Sequence, residues 1–170
     1  GLELSRWASA IARRRGLTVH QGGLEDLVAR RPYDVVTLWG VIEHFEHPGE
    51  ELVRMSRLLR PGGVVALWTG DVTGLPSRLL KRRWWYVQGQ HLQLFSRRSL
   101  RALFLRHGFR EVWVGRYPYV LTMGSVSRSL GRYPRLRAAL RWALEAPGVR
   151  DRALTFALPG ELFAIFQKTD

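Results

Sequence analysis

The sequence predicts an α/β fold in which a mainly parallel sheet is covered by helices on both faces. Three observations carry that expectation. Short, nearly continuous apolar runs alternate with longer stretches whose apolar residues recur at helical spacing. Gly and Pro mark the boundaries between the two. The chain has 170 residues, 46% of them hydrophobic, enough to fill the core of one domain.

The elements follow in order. Ser5 can cap a helix over Arg6–Arg15, with Trp7, Ala8, Ile11 and Ala12 near one face and Gly16 as its stop. A short strand, Leu17–His20, leads to a loop with Gly22-Gly23 and a helical turn over Leu24–Ala29. Asp34–Trp39 reads as a buried strand, since Val35, Val36, Leu38 and Trp39 leave it almost continuously apolar. Pro48 suits a first helical turn, and Leu52, Met55 and Leu59 form the inward stripe behind it. Pro61-Gly62-Gly63 turns the chain into a second buried strand, Val64–Thr69. Ser96 caps a helix carrying Leu100, Leu103 and Phe104, Gly108 stops it, and Phe109–Val114 is the next strand. Pro134 opens a helix over Arg135–Ala146, striped by Leu136, Leu140, Ala143 and Leu144 against Arg135, Arg137 and Arg141. Glu161–Gln167 is the last strand.

Charge is unevenly placed. Residues 1–75 hold nine Arg and nine acidic residues, so the net charge of +13 lies wholly in residues 76–170. Such a half suits an anionic partner, whether nucleic acid, a phosphorylated substrate or a lipid surface. The absence of Cys excludes disulfides, thiolate catalysis and Cys-ligated metals. No apolar run approaches the roughly 18 residues that span a bilayer. Gly1 opens into a polar, amphipathic stretch without the features of a secretory signal, so a cytoplasmic location is expected, peripheral at a membrane if the substrate is lipid-linked.

Three blocks carry a family resemblance. Tyr33-Asp34-Val35-Val36-Thr37-Leu38-Trp39-Gly40-Val41-Ile42-Glu43-His44-Phe45-Glu46-His47-Pro48 resembles the fourth strand and following turn of class I S-adenosylmethionine-dependent methyltransferases. Leu58-Leu59-Arg60-Pro61-Gly62-Gly63 resembles the turn into their fifth strand. His91-Leu92-Gln93-Leu94-Phe95-Ser96, with Ser99-Leu100 and His107-Gly108-Phe109, resembles a later block of the relatives of quinone-biosynthesis O-methyltransferases. The resemblance implies a Rossmann-like, doubly wound, mainly parallel sheet with an antiparallel last strand. It implies one domain over 1–170, with a cofactor half at 1–75 and a basic substrate half at 76–170 that carries a helical insertion at about 117–160. The glycine-rich loop of the family occurs nowhere in these residues. A chain beginning after the first strand is therefore expected, and weak cofactor binding by it alone.

The resemblance also assigns residues. Glu3 ends the second strand, where a carboxylate accepts hydrogen bonds from both ribose hydroxyls of S-adenosylmethionine, and Leu4 flanks the adenine. Gly23, Leu24 and Glu25 lie by the adenine ring, and Trp39 and Gly40 line the methionine part. Trp84 and Trp85, in Lys81-Arg82-Arg83-Trp84-Trp85-Tyr86, fall over the acceptor pocket as a candidate lid. His44 and His91 are the candidate general bases, needed when the acceptor is a hydroxyl that must lose a proton.

No metal is expected. Glu43-His44-Phe45-Glu46-His47 lacks the spacing of a His-x-x-Glu-His zinc site, and Gly40 stands where the metal-holding quinone O-methyltransferases carry a Glu. The implied activity is methyl transfer to a small-molecule or lipid-linked acceptor, at oxygen. Two alternatives remain at this level: a noncatalytic binding module, and a nucleic-acid methyltransferase acting through the basic half, for which no Asn/Asp-Pro-Pro-Tyr-type motif speaks.

Overall fold

The computed structural model describes residues 1–28, 31–132, 134–157 and 159–169. They form two compact units, one of residues 1–115 with 160–170 and one of residues 116–159.

The larger unit opens with β1 (Leu2–Glu3), α1 (Arg6–Arg14) and β2 (His20–Gln21), with β1 and β2 paired in parallel. Ser5 caps α1 by accepting from the Ala8 backbone N–H at 3.2 Å, and Gly16 leaves the helix at φ +80°. The apolar face expected of α1 is only partly used, because Trp7 is 74% exposed. A 3₁₀ turn spans Leu24–Asp26. The helical turn expected to reach Ala29 runs into residues outside those described.

Four strands make the main sheet: β3 (Tyr33–Trp39), β4 (Leu59–Gly70), β5 (Phe109–Gly115) and, at the chain's end, β8 (Glu161–Lys168). Their order is β3-β4-β8-β5; β3 runs parallel to β4, and β8 lies antiparallel between β4 and β5. Three of these four strands, β3, β4 and β5, thus share one direction and the last is antiparallel to them, a mixed sheet of the expected fold class. Pro61-Gly62-Gly63, expected as a turn, is carried inside β4, and the register beside it shifts between Tyr33 and Val35.

The core lies on one face of this sheet. α2 (Pro48–Leu58) contributes Leu52 and Met55, and α4 (Arg97–Arg106) contributes Leu100 and Phe104, all fully buried. They pack with Leu38, Val65, Leu67, Ala164 and Phe166, which alternate inward along the strands. Phe104 stacks on Phe166 at 3.9 Å and meets the edge of Phe109 at 5.5 Å. Lys168 Nζ donates to the carbonyls of Ser56 and Leu59 at 2.8 and 3.1 Å, which satisfies acceptors at the C-terminus of α2.

The other face is aromatic. Trp39, Trp68 and Phe163 are register partners across β3, β4 and β8, and Trp113 packs on Phe163 at 5.4 Å. Here the sequence reading needs correction. β3 is not buried throughout: among the described residues it pairs with β4 alone, and Val35 and Trp39 are 49% and 48% exposed. A continuous apolar run does not distinguish a central strand from an edge strand.

The short helix α3 (Leu75–Leu80) and a 3₁₀ turn (Lys81–Arg83) follow β4. The smaller unit holds an antiparallel pair, β6 (Pro118–Thr122) with β7 (Ala153–Ala157), and the helices α5 (Met123–Ser129) and α6 (Pro134–Leu144). Ser127, fully buried on α5, donates to Glu145 Oε1 at 2.7 Å, while Arg141 Nε holds Glu145 Oε2 at 3.0 Å. In α6, Leu144 is buried, Leu140 and Trp142 are 41% and 79% exposed, and the expected stripe residue Leu136 lies outside the described side chains. No helix among the described residues is long and apolar enough to cross a membrane.

Candidate functional site

A cavity of about 300 Å³ opens at the carboxyl ends of β3 and β4. Ligands of open α/β sheets bind in this position. Gly40 turns the chain out of β3 at φ +62°, with its N–H donating to the Trp68 carbonyl at 3.0 Å. A Cβ at Gly40 would stand 3.1 Å from the Trp68 ring, so only glycine suits both the dihedral and the close approach. The turn delivers a 3₁₀ segment, Ile42–His44, in which Ile42 and Glu43 are buried.

Glu43 is 2% exposed and its Oε2 accepts from the Thr69 hydroxyl at 2.9 Å, at the end of β4. Its backbone carbonyl accepts from Leu92 and Gln93 N–H at 2.9 and 3.0 Å. Those two bonds tie the 91–93 segment to the 3₁₀ turn and bring His91 beside His44, their ring centroids 4.8 Å apart. Each imidazole contacts a backbone carbonyl through Nδ1, His44 at Gln90 O and His91 at Tyr86 O, both at 2.8 Å. A carbonyl only accepts, so both Nδ1 atoms carry the proton, and in the neutral rings both Nε2 atoms keep a lone pair.

Trp39, Trp68, Trp85 and Tyr86 wall the cavity, and Glu161 adds a second carboxylate that accepts from Trp68 Nε1 at 3.0 Å. The sequence alone does not single out Glu161, Trp68 or Tyr86. Glu161 reaches the site because β8 is antiparallel: its first residue pairs with Gly70, the last of β4. Nothing in the local sequence around Glu161 signals that placement. Trp85 is 43% exposed and lines the cavity, whereas Trp84, expected beside it, is 2% exposed and packs behind Tyr86 at 5.0 Å.

The residues expected at the cofactor end stand at the ends of β1, β2 and β3. Glu3 closes β1, its carbonyl accepts from Gly22 N–H at 3.1 Å, and its Oε1 takes the Ser5 N–H at 2.8 Å. Leu4 is 74% exposed. Gly23 N–H donates to Asp26 Oδ2 at 3.0 Å, the Glu25 carboxylate folds over Gly23, and Leu24 packs against the central core.

A mixed sheet with antiparallel β8 and a pocket at its carboxyl ends is the arrangement found in class I methyltransferases. The sequence profile of the methyltransferase domain family matches residues 1–113, and the chain belongs to that family, whose methyl donor is S-adenosylmethionine. It is 35% identical over 91 residues to a tRNA U34 carboxymethyltransferase of Methylococcus capsulatus, an alignment covering 52% of this chain and 28% of that protein. The chain thus spans well under half the length of this curated relative. A S-adenosylmethionine-dependent methyltransferase of Thermotoga maritima superimposes with a TM-score of 0.64 at 21% identity, over 100% of this chain and 72% of that one. The 1,6-didemethyltoxoflavin N1-methyltransferase of Burkholderia thailandensis, solved with S-adenosylhomocysteine, gives 0.55 at 18% identity, over 99% and 60%. At these identities the structural likeness speaks for the fold.

Proposed function

We propose that this chain serves methyl transfer from S-adenosylmethionine to the oxygen of a small-molecule or lipid-linked acceptor. The observation that carries the reading is the pair of imidazoles at the cavity, each fixed through Nδ1–H so that Nε2 is free to take a proton. A hydroxyl acceptor must lose its proton, and a base within reach of the cavity is what that chemistry asks of the protein. The cofactor supplies an electrophilic methyl group displaced in line from sulfur.

On this reading residues 1–75 form the cofactor half. Glu3 holds the ribose hydroxyls, Leu4 and residues 23–25 border the adenine, and Trp39 with Gly40 shapes the wall behind the methionine part. Residues 76–170 form the acceptor half, in which Trp85 and His91 meet the acceptor and Trp84 backs them. Aromatic walls orient an acceptor and exclude water, and orientation supplies much of the rate in such displacements. The activity belongs in the cytoplasm, at a membrane face when the acceptor is lipid-linked.

The test is transfer of a labelled methyl group to a panel of hydroxylated and amino acceptors. Transfer to hydroxyls is expected, with His44→Gln and His91→Gln each removing the acid limb of the kcat/KM pH profile. Equal transfer to amines, with a profile unchanged in both variants, would overturn it.

A second reading takes RNA as the acceptor. It is favoured by the tRNA-modifying relative and by the net +13 charge of residues 76–170. Phosphate binding of that kind weakens steeply with salt. Transfer RNA binding that survives well above physiological salt supports this reading, and its loss at that salt counts against it.

A further inference from the structure

We propose that Glu43, His44 and His91 form a binding site for one divalent first-row transition ion of the zinc class. Each offers a ligand atom, and these atoms lie within 4.8 Å of one another. Ligands at about 2.0–2.1 Å from a tetrahedral ion stand roughly 3.4 Å apart, so side-chain rotations of about 1 Å close the set. His44 is exposed and His91 half-buried, which leaves both rings free to make that adjustment around a fixed Glu43.

Two further observations point to a cation. Metal-bound imidazoles characteristically donate their second ring N–H to a backbone carbonyl or carboxylate, which fixes the tautomer and turns the lone pair to the ion. His44 and His91 both do so, at 2.8 Å. Glu43, in turn, is a carboxylate 2% exposed whose side-chain partner is the neutral Thr69 hydroxyl. Among the described residues it makes no ion pair, and a buried carboxylate without a counter-charge is costly. A divalent ion supplies that charge.

Positions 40–47 by themselves lack a third ligand, since Gly40 withholds a carboxylate. The third ligand comes instead from His91, brought in by the bonds from Leu92 and Gln93 to the Glu43 carbonyl. Three protein ligands beside an open cavity leave a position for a ligand oxygen, as in catalytic His₂Glu sites. With both imidazole lone pairs on the ion, the ion would take the place of the imidazole base: it would lower the pKa of an acceptor hydroxyl at the open position, whose proton would leave to water, and for this role the inference rests on the methyl-transfer reading. Ion binding itself does not.

The metal-free chain is titrated with Co²⁺, followed by visible absorption, and then with competing Zn²⁺. One ion per chain with tetrahedral or five-coordinate d–d bands is expected. His44→Gln and His91→Gln should each weaken binding by more than about a hundredfold, beyond the 10–100-fold typical of losing an outer partner. The His47→Gln control should bind as the parent does. If circular dichroism shows that His91→Gln has not folded, His44→Gln, whose ring is exposed, decides alone. Affinity unchanged in the folded variants, or lost only with His47→Gln, overturns the site. A chain that binds Co²⁺ here but transfers no methyl group overturns the methyl-transfer reading and supports this one; undiminished methyl transfer without Co²⁺ binding does the reverse.

Discussion

Replacing Gly40 by Ala tests the turn on which the candidate site depends. At φ +62° an L-residue pays a strain of about 1–2 kcal/mol. The new Cβ would also stand 3.1 Å from the Trp68 ring. That ring cannot swing away cheaply, since Nε1 is bonded to Glu161 at 3.0 Å and the ring packs edge-on against Tyr86. The loss of stability should therefore reach the upper part of that range, near ~2 kcal/mol. With a urea m-value of about 2 kcal/mol/M, the midpoint falls by roughly 1 M. Gly89→Ala is the matched control, because Gly89 has a negative φ and no atom within 4 Å of a new Cβ. Its midpoint should stay the same or rise slightly. Urea melts of both variants by far-ultraviolet circular dichroism decide the matter: a Gly40→Ala midpoint equal to that of Gly89→Ala refutes the strain and the contact together.

Three more predictions follow from the same structure. Phe104→Ala removes a fully buried ring stacked on Phe166 and should cost about 3–5 kcal/mol in a urea melt. Ser96→Ala deletes the α4 cap, where Ser96 Oγ accepts from Ser99 N–H at 3.0 Å; a loss of about 1 kcal/mol is expected by the same assay. Asp34 is held below its usual carboxylate range by its hydrogen bond from Arg60 Nε at 2.6 Å and by the charge of that guanidinium. A lowered folded pKa gives stability present above the unfolded value of 3.8 and lost as pH falls through the folded one. Asp34→Asn should therefore flatten the acid end of the stability profile while leaving its slope near neutral pH unchanged; an identical acid limb in both proteins would show that the pair contributes nothing. Because the carboxylate is exposed, added salt should shrink the difference.

Local pattern made much of the fold legible. The stripe Leu52 and Met55 is buried as its spacing implies, Gly16 and Gly108 end their helices at positive φ, and Ser5 and Ser96 cap theirs. These features depend on residues within a few positions of one another. What stayed hidden depends on distant pairing. The β6–β7 ribbon joins Tyr119 to Phe156 across the two helices of the smaller unit, and no local period marks either strand. That β3 pairs with β4 alone among the described residues follows from strand order, which an apolar run does not encode. At the site, His44 and Gly40 could be singled out from one contiguous block. The approach of His91 to Glu43 could not, because it is made by two backbone bonds spanning almost fifty residues. The contrast between Trp84 and Trp85 was equally silent, as the neighbours carry the same side chain and differ only in which packs inward.

The aromatic sheet face has an optical consequence. Trp39, Trp68 and Trp85 border the cavity, three of the seven tryptophans in the chain. Trp68 is bonded through Nε1 to the Glu161 carboxylate, so its emission answers to charge and dipoles a few ångströms away. A paramagnetic ion beside His44 and His91 would quench these indoles where a closed-shell ion of equal charge would not. An aromatic acceptor between Trp39 and Trp85 would draw off their excitation instead. Intrinsic fluorescence thereby becomes a label-free gauge of what occupies the pocket, built from the same rings that form its walls.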